Sequence, residues 1–117
     1  MDDTDAQETP EQKAEIRRLN DQLRQTGLGG QIIMTCGIAG LPPDDQLAIY
    51  RKVAGFDDFS PDNDPYQEHD FGAFDHNGAR ILFKIDYYDP MTEYLSEDPA
   101  DPCKTKRVLT IMFAHEY

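Results

Sequence analysis

The sequence predicts a single α+β domain: an antiparallel sheet of about four strands with two helices packed on one face, in the order α-β-α-β-β-β. Three observations lead to this fold class. The chain has 117 residues, enough for one modest core. Two segments begin with helix-start patterns and end at glycines. Four further segments have the apolar alternation or the β-branched composition of strands.

The first helix is expected to begin at Thr9. A hydroxyl N-cap, a proline in the first turn and Gln12 at the third helical position form a capping-box pattern. Apolar residues then recur at helical spacing, and glycines 27, 29 and 30 end the segment. The apolar stripe consists of Ile16, Leu19 and Leu23. Residues 1–8 are expected to form a disordered acidic tail, so that the domain spans residues 9–117.

The second helix is expected to begin within residues 41–45, which contain two prolines and two aspartates, and to end at Gly55. The run before it, residues 31–39, is apolar and β-branched, and its first six residues are predicted to form a strand. Cys36 lies in this run and is expected to be a small buried core residue. One apolar face of this helix is expected to consist of Leu47, Tyr50 and Ala54, with Ile49 and Val53 beside it.

The remaining strands are predicted in the second half of the chain. A short strand at residues 71–74 is followed by His-Asn-Gly, whose Asn-Gly pair favours the positive φ angles of a hairpin turn. Residues 80–88 alternate between an apolar face and a mixed one, which predicts one buried side and one partly exposed side. Residues 107–114 are apolar on both faces and are expected to form a central strand. The apolar face comprises Ile81, Phe83, Ile85 and Tyr87.

Charge is the strongest compositional signal. The net charge is −12, and residues 57–101 hold thirteen carboxylates against Arg80 and Lys84. Nucleic acids and anionic membranes are bound through basic surfaces, so direct binding to either is not expected. The acidity favours a basic protein partner. The segments that carry most of it, residues 56–66 and 89–104, are rich in proline and aspartate and are predicted loops.

Several motifs stand out along the chain: NDPYQEHDFGAF, KIDYYD, SEDPADP and the ending VLTIMFAHEY. They resemble the patterns N-D-P-Y-x-E-H-D-F-G-x-F, W/F-K-I-D-Y-Y-D, S-E-D-P and V-L-T-I-M-x-A-x-E-Y. These patterns belong to a family of small proteins of unknown function from bacterial chromosomes and mobile elements (domain of unknown function 3768). The resemblance spans residues 16–117. It implies homology over nearly the whole chain, and it brings no established catalytic residue, cofactor or substrate.

One interpretation is a small metal- or carboxylate-dependent enzyme centred on Glu68, His69 and Asp70. Imidazole and carboxylate groups are common ligands of Zn, Mn and Fe. Neighbouring residues of a strand point to opposite faces, however, so His69 would point away from the two acids. Another strand would have to complete the site, with His115 as the second imidazole. Because of this geometry we expect no metal or other cofactor. The sequence also contains no nucleophile or phosphate-binding motif, so we do not expect catalysis.

The favoured interpretation is a non-enzymatic interaction protein. Closely spaced carboxylates on loops can imitate the phosphates of nucleic acid and occupy the basic groove of a nucleic-acid-binding effector. Small acidic proteins encoded by mobile elements, which inhibit CRISPR effectors or restriction enzymes, often work in this way. The residues 64–72 would support the surface. The predicted acidic surface consists of Asp57, Asp58, Asp62, Asp64, Glu93, Glu97, Asp98 and Asp101, with Tyr66, Tyr87, Tyr88 and Tyr94 as interface aromatics.

The sequence also bears on location and assembly. Its start, MDDTDAQETP, has neither the basic beginning nor the apolar middle of a secretory signal. No apolar run approaches the roughly 18 residues needed to span a bilayer. A cytoplasmic protein without membrane contacts is therefore expected. A homodimer stays open, through the mixed face of the sheet, if Tyr88 lies there.

Overall fold

A computed structural model describes residues 8–117. The first seven residues of the predicted acidic tail therefore lie outside the described part of the chain. Four strands form one sheet, and three α-helices and a final 3-10 turn accompany it. In chain order the elements are α1 (Pro10–Thr26), β1 (Gly30–Met34), α2 (Cys36–Ala39), α3 (Pro43–Ala54), β2 (Phe71–His76), β3 (Ala79–Tyr88), β4 (Lys106–Phe113) and the 3-10 turn Ala114–Glu116. The predicted α+β class is confirmed.

The helix boundaries follow from local chemistry. Thr9 accepts a hydrogen bond from the Gln12 amide at 3.1 Å, and the Gln12 side chain accepts one from the Thr9 amide at 2.8 Å. This reciprocal pair is the predicted capping box, and it satisfies two amides that have no partner within the helix. Helix α1 ends at Gly27, whose φ of 79° suits glycine. The predicted end of α3 at Gly55 is also confirmed.

The sheet has the strand order β1-β4-β3-β2, with β4 in the interior as predicted. Strand β3 is antiparallel to both of its neighbours, whereas β1 is parallel to β4. The expectation of an all-antiparallel sheet is therefore wrong, and the sheet is mixed. The cause is the crossover between β1 and β2, in which α2 and α3 return the chain to the end from which β1 started. The β2–β3 hairpin turns at Asn77 and Gly78, whose φ angles of 51° and 80° fit the predicted Asn-Gly turn.

The core lies between the sheet and the helices. Phe83 and Ile85 are buried, together with Leu109 and Ile111 of the neighbouring strand, so the predicted phase of β3 is confirmed. Helix α3 buries Ile49 and Val53 instead of Leu47, which is 48% exposed. The two buried residues are four positions apart and so share one face of the helix. The expectation that Leu47 belongs to the main buried face is wrong.

The apolar run after α1 forms a shorter strand than expected. Strand β1 ends at Met34, and the chain then turns into the short helix α2. Cys36 is the first residue of that helix and is exposed, so its predicted burial is wrong. The reason is that apolar composition alone does not show where a strand stops and a helix begins. Over residues 8–117, no helix combines the length and the apolar composition needed to cross a membrane.

Candidate functional site

Two acidic loops meet the same end of the sheet, where β3 stops and β4 starts. The first loop, residues 56–70, leads into β2, and the second, residues 89–105, joins β3 to β4. The amide of Ile85 donates to the Asp70 carbonyl at 2.8 Å, which fixes the end of the first loop against β3. Residues that the sequence separates widely are therefore neighbours at this end, and a buried polar network connects them.

The network joins α1, β3 and β4 to the first loop. The Asn20 side-chain amide donates to the Glu68 carbonyl at 3.0 Å and to the Tyr87 hydroxyl at 2.8 Å. The Tyr87 hydroxyl in turn donates to the Glu68 carboxyl at 2.7 Å. Arg107 donates from Nε to the Asn20 side-chain oxygen at 2.8 Å and from a terminal nitrogen to the Pro99 carbonyl. Both acidic loops are thus tied to the same side chains.

Asp64 holds the backbone of the first loop. Its carboxylate accepts hydrogen bonds from the amides of Glu68 at 2.9 Å and His69 at 3.1 Å. Gln67 and His69 have positive φ angles of 60° and 58°, a conformation that non-glycine residues adopt only when their surroundings impose it. Arg17 adds a hydrogen bond to the Gln67 carbonyl at 2.8 Å. Hydrogen bonds with Asp64 and with Arg17 of α1 therefore hold the backbone of this segment.

His69 points away from Glu68 and towards α1. Its Nδ1 lies 2.9 Å from a carboxylate oxygen of Asp21, and its ring stacks on Phe59 with the centroids 3.9 Å apart. Asp21 also accepts a hydrogen bond from Arg24 at 2.8 Å. Arg24 donates to three backbone carbonyls at the end of α3, so it joins α3 to this corner. These contacts connect His69 to α1 and to Phe59 of the first loop.

Burial changes the acidity of two carboxyl groups at this end. It raises the pKa of Glu68 to about 7, and the nearby carboxyls of Glu8 and Asp64 act in the same direction while the Tyr87 hydrogen bond opposes it. Burial also raises the pKa of Asp70 to about 6, helped by the charge of Glu68. Carboxyls with such pKa values occur at catalytic sites and also in structural networks. Here Glu68 is only 8% exposed, and its carboxyl accepts the Tyr87 hydrogen bond.

The proposed ligands of a metal site are not brought together. Glu68 contacts Tyr87 near the end of β3, whereas His115 follows β4 beside the start of β3, since Ile81 pairs with Phe113. Tyr87 lies six residues after Ile81 along the strand, a span of about 20 Å. The set Glu68, His69, Asp70 and His115 is therefore wrong as a single ligand cluster. Within residues 8–117, no three His, Cys, Asp or Glu side chains are arranged to hold a metal ion.

We predict that the purified protein carries no stoichiometric transition metal. The reason is geometric, since His69 is directed to Asp21 while Glu68 is directed to Tyr87. Elemental analysis should find far less than one Zn, Mn or Fe per chain. About one metal per chain, lost in His69→Ala but kept in His115→Ala, would contradict the prediction.

The residues predicted to form the acidic surface differ in exposure. Asp57, Asp58 and Asp62 in the first loop and Glu93 and Glu97 in the second are exposed. Asp64 is 5% exposed and serves the loop interior, so its predicted place on the surface is wrong.

The other two members of the predicted surface are half-buried. The carboxylate of Asp98 accepts the Ala100 amide at 3.2 Å, and that of Asp101 accepts the Cys103 amide at 2.9 Å. They therefore help to shape the second loop.

The predicted interface aromatics also separate into groups. Tyr66 and Tyr94 are exposed on the two acidic loops. Tyr88 is half-buried and lies on the mixed face of the sheet, beside a cavity of about 670 Å³. Tyr87 contributes its hydroxyl to the buried polar network, and its interface role stays a prediction.

Sequence reasoning missed two features of this end of the molecule. Asn20 and Arg107 are buried polar residues of the network, and their spacing of 87 positions left no local signal. The second acidic loop also exposes a run of apolar side chains: Met91, Tyr94 and Leu95 are 74%, 73% and 76% exposed. A proline-rich loop with apolar residues but no periodicity offered no way to predict that they would be exposed.

The fold and site define a small mixed α+β domain whose two acidic loops are anchored to one buried polar network. A family model described as "Protein of unknown function (DUF3768)" matches residues 34–116, and the chain belongs to that family. This confirms the predicted family. The match begins within β1 and so leaves out α1, whose Asn20 and Asp21 contact the motif residues Glu68 and His69. Nothing matches among the curated proteins or among the solved structures.

Proposed function

We propose that the protein acts by binding, and that its two acidic loops dock on the basic surface of a nucleic-acid-binding protein. In this proposal the chain is an inhibitor that occupies the surface on which the partner would bind nucleic acid. The observation that carries it is the combination, in the second loop, of exposed apolar side chains with exposed carboxylates. The exposed carboxylates of both loops, here called the acidic end, are Asp57, Asp58, Asp62, Glu93 and Glu97.

The second loop distinguishes binding from simple solubilisation. Acidic residues alone would keep a protein in solution wherever they were placed. Met91, Tyr94 and Leu95 have the opposite effect, because exposed apolar groups favour association. Protein interfaces commonly combine apolar and aromatic residues at the centre with a charged rim. Three exposed apolar side chains within residues 91–95, in the same loop as Glu93 and Glu97, fit that arrangement.

The charge of the acidic end is little neutralised. The only basic residue of residues 89–104 is Lys104, whose Nζ lies 3.7 Å from a carboxylate oxygen of Glu97. Both side chains are well exposed, and such pairs contribute little because water and salt screen them. Carboxylates that stay accessible on loops would attract a basic groove and steer its approach. A groove that binds phosphates, as in CRISPR effectors or restriction enzymes, is the partner surface with matching charge.

The test compares two charge variants with equal net charge. The loop variant combines Asp62→Asn, Glu93→Gln and Glu97→Gln, all at exposed positions. The control variant combines Glu11→Gln, Asp44→Asn and Asp75→Asn, which are exposed outside the two loops. Each protein is immobilised and used to capture partners from a lysate of the organism that encodes it, and the captured proteins are identified by mass spectrometry.

The wild type and the control variant should capture the same nucleic-acid-binding protein, and the loop variant should recover at least about 10-fold less of it, as expected when several interface charges are lost. The captured protein should also lose its binding to nucleic acid when the wild type is added. Equal capture by both variants would overturn the role of the loops. Capture of a protein whose nucleic-acid binding is unaffected would overturn the inhibitor function.

The alternative proposal is a carboxylate-dependent enzyme centred on Glu68, His69 and Asp70. The raised pKa values of Glu68 and Asp70 favour it, since a carboxyl that titrates near neutral pH can act as an acid or base. The burial of Glu68 and the structural contacts of His69 weigh against it.

A cytoplasmic location, where CRISPR effectors and restriction enzymes act, is part of the favoured proposal.

A further inference from the structure

A groove of about 320 Å³ lies within the second acidic loop. The Asp89 amide donates to the Tyr94 carbonyl at 2.8 Å, and the amide of Glu93 donates to the Asp89 carboxylate at 3.0 Å, which forms one wall. The other wall is the turn that ends at Lys104. Ser96 joins the second wall to the end of β3, because its amide donates to the Tyr87 carbonyl at 2.9 Å and its hydroxyl donates to the Lys104 carbonyl at 3.0 Å. The groove is therefore shaped by the loop's own hydrogen bonds.

The groove is lined by apolar and acidic residues together with Lys104. Its lining includes the side chains of Tyr94, Leu95 and Cys103, with Asp89 and Glu97 beside them. Tyr94 is 73% exposed, so its side chain is accessible to a partner. An occupant that matches this lining needs an aliphatic or flat body and a positive charge. These requirements describe a single basic side chain rather than an apolar one.

We propose that this groove receives an arginine side chain of the partner protein, with its guanidinium between the Tyr94 ring and the carboxylates of Asp89 and Glu97. The inference rests on the proposed function and names the group that the acidic end recognises. A guanidinium is planar, stacks on aromatic faces and can form paired hydrogen bonds with a carboxylate. A lysine ammonium is a compact, strongly hydrated charge and makes less use of the ring. The groove should therefore prefer arginine over lysine.

The loop's own Lys104 does not fill this role. Its Nζ is 3.7 Å from Glu97, beyond normal hydrogen-bond distance, and more than half of its side chain is exposed. An arginine that also stacks on Tyr94 would make contacts that this pair lacks. Lys104 would then move aside into solvent at small cost, because exposed ion pairs contribute little.

The test uses two six-residue peptides of equal charge, one of arginine and one of lysine, added to the full chain. Binding is followed through the amide signals of the protein by NMR, which also shows where each peptide binds. The arginine peptide should bind at least about 3-fold tighter than the lysine peptide, the size of one exposed cation–π contact. The largest shifts should fall on the amides of residues 94–104.

Substitutions at two tyrosines locate the preference. Tyr94→Ala should remove the preference for arginine, whereas Tyr94→Phe should keep it because the ring remains. Tyr66→Ala is the matched control, since Tyr66 is a similarly exposed tyrosine on the other acidic loop. Equal binding of the two peptides to the wild type, or equal effects of Tyr94→Ala and Tyr66→Ala, would overturn the inference.

The two proposals can fail separately. If partner capture depends on the acidic loops but survives Tyr94→Ala unchanged, the arginine groove is wrong and the proposed function stands. If the peptides show the expected preference while capture is unaffected by the loop variant, the groove binds arginine but the proposed function is wrong.

Discussion

Phe83→Ala is expected to lower the free energy of unfolding by about 3–5 kcal/mol, the usual cost of removing a buried aromatic ring. Phe83 is fully buried, and it packs edge-to-face with Phe56 at a centroid distance of 5.3 Å. Gly72 lies opposite it on β2, where a Cβ would collide with the ring. The ring is enclosed closely enough that its removal would leave a cavity.

The measurement is denaturant or thermal unfolding of the variant beside the wild type. A loss of this size should lower the melting temperature by roughly 10 °C or more in a domain of this length. Leu47→Ala is the matched control, because it also removes a large apolar side chain, and Leu47 is 48% exposed. The control should cost less than about 1 kcal/mol. Similar losses for both variants would contradict the description of the core.

The second large effect concerns pH. The domain is expected to lose on the order of 2–4 kcal/mol of stability between pH 5 and pH 8. In the folded state, burial raises the pKa of Glu68 to about 7 and that of Asp70 to about 6. Both carboxyls therefore hold protons in the folded protein at pH values at which the unfolded chain has released them. Their contribution is complete below about pH 4 and disappears as the pH rises through 6 and 7.

Other carboxyls do not reverse this trend. Hydrogen bonds from Thr35 and from the Phe113 amide lower the pKa of Glu116, and a hydrogen bond with Arg18 lowers that of Glu15. Groups of this kind stabilise the fold above their ordinary pKa and lose that effect only in acid. Their contribution is therefore nearly constant between pH 5 and pH 8, and the raised carboxyls determine the slope.

Urea unfolding at several pH values tests the prediction. Glu68→Gln should flatten the profile between pH 6 and pH 8, because glutamine keeps a group that accepts the Tyr87 hydrogen bond but does not titrate. Glu97→Gln is the control at an exposed carboxyl and should leave the slope unchanged. A stability that stays level or rises from pH 5 to pH 8 would mean that Glu68 and Asp70 do not retain their protons in the folded state.

Local patterns were sufficient to predict much of the fold. The capping box at Thr9, the turn at Asn77 and the buried alternation of β3 each depend on residues a few positions apart. The direction of β1 did not follow from such signals. It depends on how α2 and α3 route the chain between distant strands, and no short stretch of sequence contains that information.

The carboxylate of Glu116, at the opposite end of the sheet from the acidic loops, illustrates which contacts could not be predicted. It accepts the Thr35 hydroxyl at 2.6 Å and the Gly37 amide at 3.1 Å, which ties the end of the chain to the start of α2. The partners lie about 80 positions away in sequence. Asn20 and Arg107 were missed for the same reason. Polar residues that stabilise a fold through distant partners look, in sequence, like any exposed polar residue.

In the proposed function, the acidic end meets a basic partner surface. The measurement that tests it most directly is the association rate constant with the captured partner as a function of ionic strength. For the wild type and the control variant, the rate constant should fall by about 10-fold or more between 50 mM and 500 mM salt, because salt screens charge steering. The loop variant should associate more slowly at low salt and depend on salt less. A rate constant that is independent of salt, and equal for all three proteins, would contradict the claim.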